Sequence, residues 1–478
     1  MSLGRRIARA AVAVVALSIS LIVTSPARAE PCTGAAAQAQ APAAQNVQTA
    51  PWTPIAGRGP APNHPSPPTG HRPRGANEGA ALPRLGQVSR SILGALDPRP
   101  QPVRQQAAAV PAPRPPATPN TQPPNAAQAA PAPAPAPPAP PQPPGTTLVG
   151  WVTGPDSPND TVGRFAITGT DLGIMWDSGT GSQVLMAFGD TYGYCGVKGQ
   201  QWRYNTLFRS SDRSLANTVS ANAGAPMMTG HVAKQILNSP YWAPNEKGII
   251  PTAAIAVGGK QIMNFMSIKS WDANGSWTTN FSGLAISPDN GENWGIYPSS
   301  VRLAGADRVA GGRFMPGNEN FQQGAFLKPG PGDGYLYSFG TPAGRSGSAY
   351  LSRVVPADVA NLTKYEYWNG DRNSWVPMYP GTATPVIPGP VGELSAQYNT
   401  HLKQYLALYC NGDNDVVART APAPQGPWGP EQLLVPSSQY PGGIYAPYLH
   451  PWSTGKELYY TLSLWSAYNV MLMKTVLP

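Results

Sequence analysis

Between residues 170 and 470 the sequence repeats one plan: an apolar run, a polar turn, a second apolar run, then a longer polar stretch with further strand-like material. The segments begin near Asp171, Pro251, Asn320, Glu393 and Tyr445. Their spacing, about 55 to 80 residues, is too long for bare hairpins and suits four-stranded blades carrying loops. Five such units predict an all-β, five-bladed β-propeller. From Thr146 onward, Gly, Trp, Tyr, Val and Ser dominate, charges are sparse, and no helical periodicity appears. Ser287-Pro-Asp289-Asn-Gly291-Glu-Asn-Trp294 fits the Asp-box turn frequent in propellers, in which Ser and Asp bond turn backbone and Trp packs beneath. Asp289 is therefore expected to be structural.

The chain before this region cannot join a core. Residues 1–29 read as a secretory leader, with Arg5, Arg6 and Arg9, an apolar run from Ala10 to Val23, and Ala27-Arg28-Ala29 as a cleavage site. That run is short for a membrane span, so export to the cell envelope or beyond is expected rather than anchoring. Residues 30–145, ending in PAPAPAPPAPPQPPG, are a Pro/Ala-rich spacer with too little apolar surface to offset its ordering entropy, and are expected to be disordered. Val88–Leu96 is the one interruption that could form a short helix or docking motif. Residues 146–478 make the folded domain.

The charge of +9 belongs to these leading segments. The leader carries four Arg and no acid, and the spacer eight Arg against Glu30, Glu78 and Asp97, so the domain is neutral and nucleic acid is not an expected partner. Cys32 lacks the small apolar residues that precede a lipoprotein cysteine. Cys195 and Cys410 lie within the domain, where a bridge and two separate thiols are both open readings.

The first segment carries the candidate chemistry. Apolar runs Leu172–Trp176 and Val184–Phe188 flank a turn over Asp177–Ser182, so folding the hairpin sets Asp171 opposite Asp190 at one rim. In a propeller the starts of the innermost strands and the returns of their neighbours line one funnel. This gathers Asp171, Asp190, Thr252, Gln322, Gln323, nearby Glu319, Thr341, Arg345, Glu393, Tyr445 and Trp465. Two or three carboxyls with an Arg and aromatics suit glycoside cleavage: one carboxyl protonates the leaving oxygen, and another attacks or activates water. Asp171 and Asp190 are the expected pair and Glu393 a further acid. Arg345, Gln322, Gln323, Tyr445 and Trp465 are expected to bind substrate. His231, His401 and His450 show no metal-ligand spacing, and no nucleophile elbow occurs, so neither a zinc enzyme nor a triad hydrolase is expected. No metal ligands or cofactor are assigned, and a central ion or water in the axial channel stays an open reading.

Asp171-Leu-Gly-Ile-Met-Trp176, Phe188-Gly-Asp190-Thr191, Trp202-Arg-Tyr-Asn205, Phe281-Ser-Gly-Leu-Ala-Ile-Ser-Pro-Asp289, Gly340-Thr-Pro-Ala-Gly-Arg345 and Gly392-Glu-Leu-Ser395 occur in this order. Together they resemble the secreted actinobacterial family known as domain of unknown function 4185, over most of 148–478. Members of that family include endo-D-arabinanases of glycoside hydrolase family 183, which cut the D-arabinan of mycobacterial arabinogalactan and lipoarabinomannan. The resemblance implies a five-bladed propeller with acids of the first segment, here Asp171 and Asp190, in the active site. An exported monomeric glycoside hydrolase on cell-wall D-arabinan is thus expected. A non-catalytic carbohydrate-binding propeller and an envelope scaffold are the alternatives.

Overall fold

The computed structural model describes residues 145–478 apart from 198–200, 273–274, 329 and 331; the leader and the spacer up to residue 144, with Val88–Leu96 and Cys32, lie outside the described residues. The architecture is a five-bladed β-propeller. Blade one holds β2 (Leu172–Asp177), β3 (Val184–Phe188) and β4 (Thr206–Ser210), with the small hairpin β5 (Met227–Thr229) and β6 (Val232–Ala233) after it. Blade two is β7 (Gly248–Val257), β8 (Lys260–Trp271), β9 (Trp277–Ser287) and β10 (Gly295–Leu303). Blade three has five strands: β11 (Gln323–Leu327), β12 (Leu336–Thr341), β13 (Tyr350–Val354), β14 (Glu366–Asn369) and β15 (Ser374–Pro377). Blade four is β16 (Ser395–Asn399), β17 (Gln404–Cys410), β18 (Val416–Ala421) and β19 (Gln432–Val435).

Blade five is composite. Its inner strands β20 (Ile444–Leu449), β21 (Glu457–Leu464) and β22 (Asn469–Val476) come from the end of the domain, and its outermost strand is β1 (Thr146–Trp151). Thr146 pairs with Thr475 and Trp151 with Met471, so the two ends of the domain close the ring within one sheet. This closure removes an otherwise free edge from β22.

The innermost strands β2, β7, β11, β16 and β20 start within a few residues of the five repeat starts. Blades pack face to face, so β2 and β7 are near-continuous buried apolar runs such as IIPTAAIAV in β7, whereas β16 (SAQYN) is more polar and only half-buried at its centre. Three of the five are bulged toward the same end: β2 between Leu172 and Ile174, β7 between Pro251 and Ala253, and β20 between Tyr445 and Tyr448. Bulges bend a strand and re-aim its side chains. Here they place Leu172 and Ala446 at positive φ (73° and 50°), conformations that L-residues adopt only when their surroundings enforce them.

The Asp-box turn connects β9 to β10 within blade two and packs against blade one. Ser287 Oγ bonds Asp289 Oδ1 (2.8 Å), the amides of Gly291 and Asn293 donate to Ser287 Oγ and Asp289 Oδ1, and Gly291 supplies φ of 79°. Trp294 packs edge-on to Trp176, and Glu292 pairs with Arg209 and Lys234. Asp289 is spent within its own turn, accepting from Ser287 and from the backbone and side-chain amides of Asn293. Cys195 is disulfide-bonded while Cys410 is a free, buried thiol, so these two do not pair.

Candidate active site

Asp171 enters immediately before β2. Its carbonyl accepts from the amide of Gly189 (3.1 Å), and Leu172 pairs with Phe188. The residue facing Asp171 is therefore Gly189, with Asp190 one position further on, a one-residue correction to the pairing expected from the hairpin. The bulge still lets both aspartates line one cavity. Gly189 is required for space: a Cβ there would come within 2.4 Å of Asp171 Oδ1. The phenol of Tyr445, opposite in blade five, donates to Asp171 Oδ2 at 2.9 Å. Burial, and then the adjacent Asp171 carboxylate, raise the Tyr445 pKa well above its ordinary value, which keeps the phenol a donor.

Asp190 follows β3 and is only 3% exposed. Trp202 Nε1 donates to its Oδ1 at 3.0 Å, and the bridge between Thr191 and Arg203 holds the indole in place. Arg203, fully buried, anchors that segment by donating to the carbonyls of Gln201, Phe165, Ala166 and Ala233.

Across the cavity, Arg345 and Glu393 form a bidentate ion pair, Nε to Oε2 at 3.0 Å and Nη2 to Oε1 at 2.6 Å. Arg345 also donates to the carbonyl of Gly275 (2.6 Å), and its guanidinium lies 4.8 Å from the Trp277 ring and 5.3 Å from the Tyr445 ring. It thus ties blades two, three, four and five together at the axis. The walls are completed by Trp271, Trp277, Trp465 and Tyr468, with Ile250, Met266 and Leu172 beneath. The indole nitrogens of Trp271, Trp277 and Trp465 are buried and have no acceptor among the described residues. Three unmatched donors around one cavity form a hydrogen-bonding surface that the protein itself does not satisfy.

Six of the eight expected site residues therefore meet here: Asp171, Asp190, Arg345, Glu393, Tyr445 and Trp465. Gln323 sits in an adjoining chamber with Thr252, Thr341 and Glu393; its amide nitrogen bonds the carbonyls of Pro342 and Gly344 and so shapes the loop leading to Arg345. Gln322 does not reach the funnel. Its side chain accepts from Thr279 and donates to the carbonyls of Arg302 and Asn318, bracing blades two and three. Glu319 accepts from the amide of Gly317, shaping the turn before β11. Reading the sequence missed Trp202, Trp271, Trp277 and Tyr468. The rule that adjacent strands return to the funnel reaches Trp271 at the end of β8, and Trp277 begins the next strand. Among the described residues, no cluster of three or more His, Cys, Asp or Glu side chains could hold a metal ion, and no helix is long and apolar enough to cross a membrane.

Beyond Asp190, Tyr204 packs edge-on to Trp202 (4.8 Å). Its environment includes Glu246, a buried carboxyl that bonds Ser267 Oγ at 2.6 Å and is pushed up to about 7, burial outweighing the donation from Ser239 and Ser267. A folded-state value above the ordinary 4.5 means that stability is fully present below that pH and is lost as pH rises through about 7. Urea unfolding of the wild type between about pH 5 and 7.5 should show a loss on the order of 2 kcal/mol. Glu246→Gln should flatten that dependence; an unchanged slope would assign it elsewhere.

The fold and the cavity define a five-bladed propeller with a carboxyl-rich, tryptophan-walled axial pocket. The chain belongs to the family described as "Domain of unknown function (DUF4185)", whose model matches residues 156–474. It is 26% identical over 327 residues to "Notoamide biosynthesis cluster protein J" of Aspergillus sp. (strain MF297-2), covering 64% of this chain and 81% of that one. It is also 26% identical over 325 residues to "Notoamide biosynthesis cluster protein J'" of Aspergillus versicolor, covering 64% and 83%. These relatives are fungal, not actinobacterial. Among solved structures, it is similar to a putative hydrolase from Bacteroides ovatus (14% identity, TM-score 0.46, covering 66% of this chain and 88% of that one). Another is the catalytic domain of a GH62 α-L-arabinofuranosidase from Coprinopsis cinerea (11% identity, TM-score 0.40, 69% and 96%).

Proposed function

We propose that this protein is an exported glycoside hydrolase that cleaves D-arabinan of the mycobacterial-type cell wall, with Asp171 and Asp190 as its paired carboxyls. The observation that carries the reading is their convergence in one cavity beside three buried indole donors that lack acceptors among the described residues. A sugar supplies what such walls lack: hydroxyl oxygens for the N–H groups and C–H faces for the rings. One aspartate protonates the departing glycosidic oxygen while the other attacks the anomeric carbon or activates water. The choice of D-arabinan is supported by the motifs around Asp171, Asp190, Arg345 and Glu393. Export is supported by the leader over residues 1–29.

The test is incubation of the purified protein with arabinogalactan and chromatography of the soluble products. Released oligosaccharides are expected from the wild type and not from an Asp171→Asn, Asp190→Asn double variant. Equal release from both would overturn the assignment, and no release from either would reject the activity. Tyr445→Phe removes the donor to Asp171 and should lower kcat/KM about tenfold, the scale of one hydrogen bond to a charged group, with little change in Tm. Unchanged kinetics would exclude a role for the phenol. A second reading, a carbohydrate-binding propeller without turnover, is favoured by the deep burial of Asp190 and predicts retained binding of arabinan fragments without product.

A further inference from the structure

The funnel is not the largest space on the propeller axis. Where the five innermost strands run out at the opposite mouth there is a cavity of about 250 Å³, against about 50 Å³ for the pocket holding Asp171 and Asp190. It is lined from all five blades, and the chemistry proposed for the funnel uses none of it. Its wall combines an aromatic surface with polar groups of both signs. Trp176, Tyr398 and Tyr448 give the former, and Asp177, Lys328 and Gln397 the latter.

Those polar groups have unequal commitments. Asp177 already accepts from the amides of Gly179 and Gly181 and from the Trp452 indole. The Gln397 amide nitrogen is held by the carbonyl of Ser453 at 2.7 Å, while its Oε1 is buried and meets no donor among the described residues. Lys328 is exposed at the mouth and has no carboxylate partner among the described residues. The ligand that completes this arrangement brings an O–H to Gln397 Oε1 and an oxygen to the Lys328 ammonium, and it presents an apolar flank to the aromatic rings. Ammonium and carboxylate at one mouth balance, so a neutral ligand fits better than an ion. At about 250 Å³ the space admits one sugar ring.

We propose that this cavity is a second carbohydrate site, which takes a single neutral sugar residue at the face opposite the funnel. It stands independently of the hydrolase reading, since none of its residues lines the pocket of Asp171 and Asp190.

Binding of free D-arabinose and D-xylose to the full chain, followed by saturation-transfer NMR and calorimetry, tests it. The wild type and the Asp171→Asn, Asp190→Asn double variant are expected to bind one of these pentoses alike. Gln397→Leu should weaken binding about tenfold, with Tm unchanged. Lys328→Met, on the exposed side of the cavity, should weaken it as well and cannot perturb the core. Binding that survives both substitutions, binding lost only in the aspartate variant, or no binding of either pentose at roughly 100 mM, far above the millimolar range, would each overturn the proposal. Failure of arabinan cleavage would leave these results untouched.

Discussion

Asp190→Asn is expected to lower kcat by about 10³-fold or more, with KM and Tm nearly unchanged. The expected size follows from the contribution of a positioned acid or base, roughly 10²–10⁴-fold, with covalent chemistry adding to it. The variant is nearly isosteric, and its carboxamide oxygen can still accept from Trp202 Nε1, so the pocket wall should persist. Asp171→Asn keeps an acceptor for the Tyr445 phenol in the same way and should be comparably inactive. Groups that act as a unit are not additive, so the double variant should be little worse than either single one. Rates on a defined arabinan oligosaccharide, measured beside thermal unfolding, check this. If the losses multiply, or if Tm falls by many degrees, the aspartates are acting separately or as part of the scaffold.

Arg345→Met should destabilise the domain by about 3 kcal/mol, because it leaves a largely buried carboxylate without its partner. Glu393→Gln should do similar damage from the other side. The double substitution Arg345→Met, Glu393→Leu should recover most of the loss, since replacing a buried pair with apolar groups avoids the uncompensated charge. Urea midpoints for the three variants make the comparison. The outcome also decides between two roles for Glu393. As an ion-pair partner it affects stability first, whereas a third catalytic acid would lose activity in Glu393→Gln while unfolding at the wild-type midpoint.

The fold was legible because five apolar strand starts recur in a sequence without helical periodicity, and the innermost strands β2, β7, β11, β16 and β20 begin close to those starts. Much of the site was legible for the same reason, since strand starts and returns share a rim. What escaped was local geometry. The offset that sets Gly189 across from Asp171 depends on a bulge with Leu172 at positive φ, for which an apolar residue gives no warning. Gln322 and Gln323 are adjacent in sequence, yet Gln322 ends the short helical turn over Asn318–Phe321 in a helical conformation while Gln323 opens β11, and only Gln323 turns toward the axis. The donor held to Asp190 comes from Trp202, in a stretch that looks like ordinary loop and is positioned by the buried Arg203. The fifth strand of blade three, over Ser374–Pro377, adds an outer edge that five equal repeats do not anticipate.

Closure of the ring through β1 and β22 also governs the order in which this molecule can be completed. Thr146 and Thr475, hydrogen-bonded through their side chains at 2.7 Å, are 329 residues apart, so the last sheet joins the most distant parts of the domain. Such non-local pairing is slow to form, because loop-closure entropy must be met before the contact contributes anything. On a chain delivered from its amino end, whether by a ribosome or through an export channel, β1 emerges first and must wait, unpaired, for β22. Blades one to four can assemble in sequence, but the axial pocket takes one wall from Tyr445, Trp465 and Tyr468 of blade five. The pocket is therefore built only as the final blade closes, so a chain stalled in transit would carry both aspartates without the cavity around them.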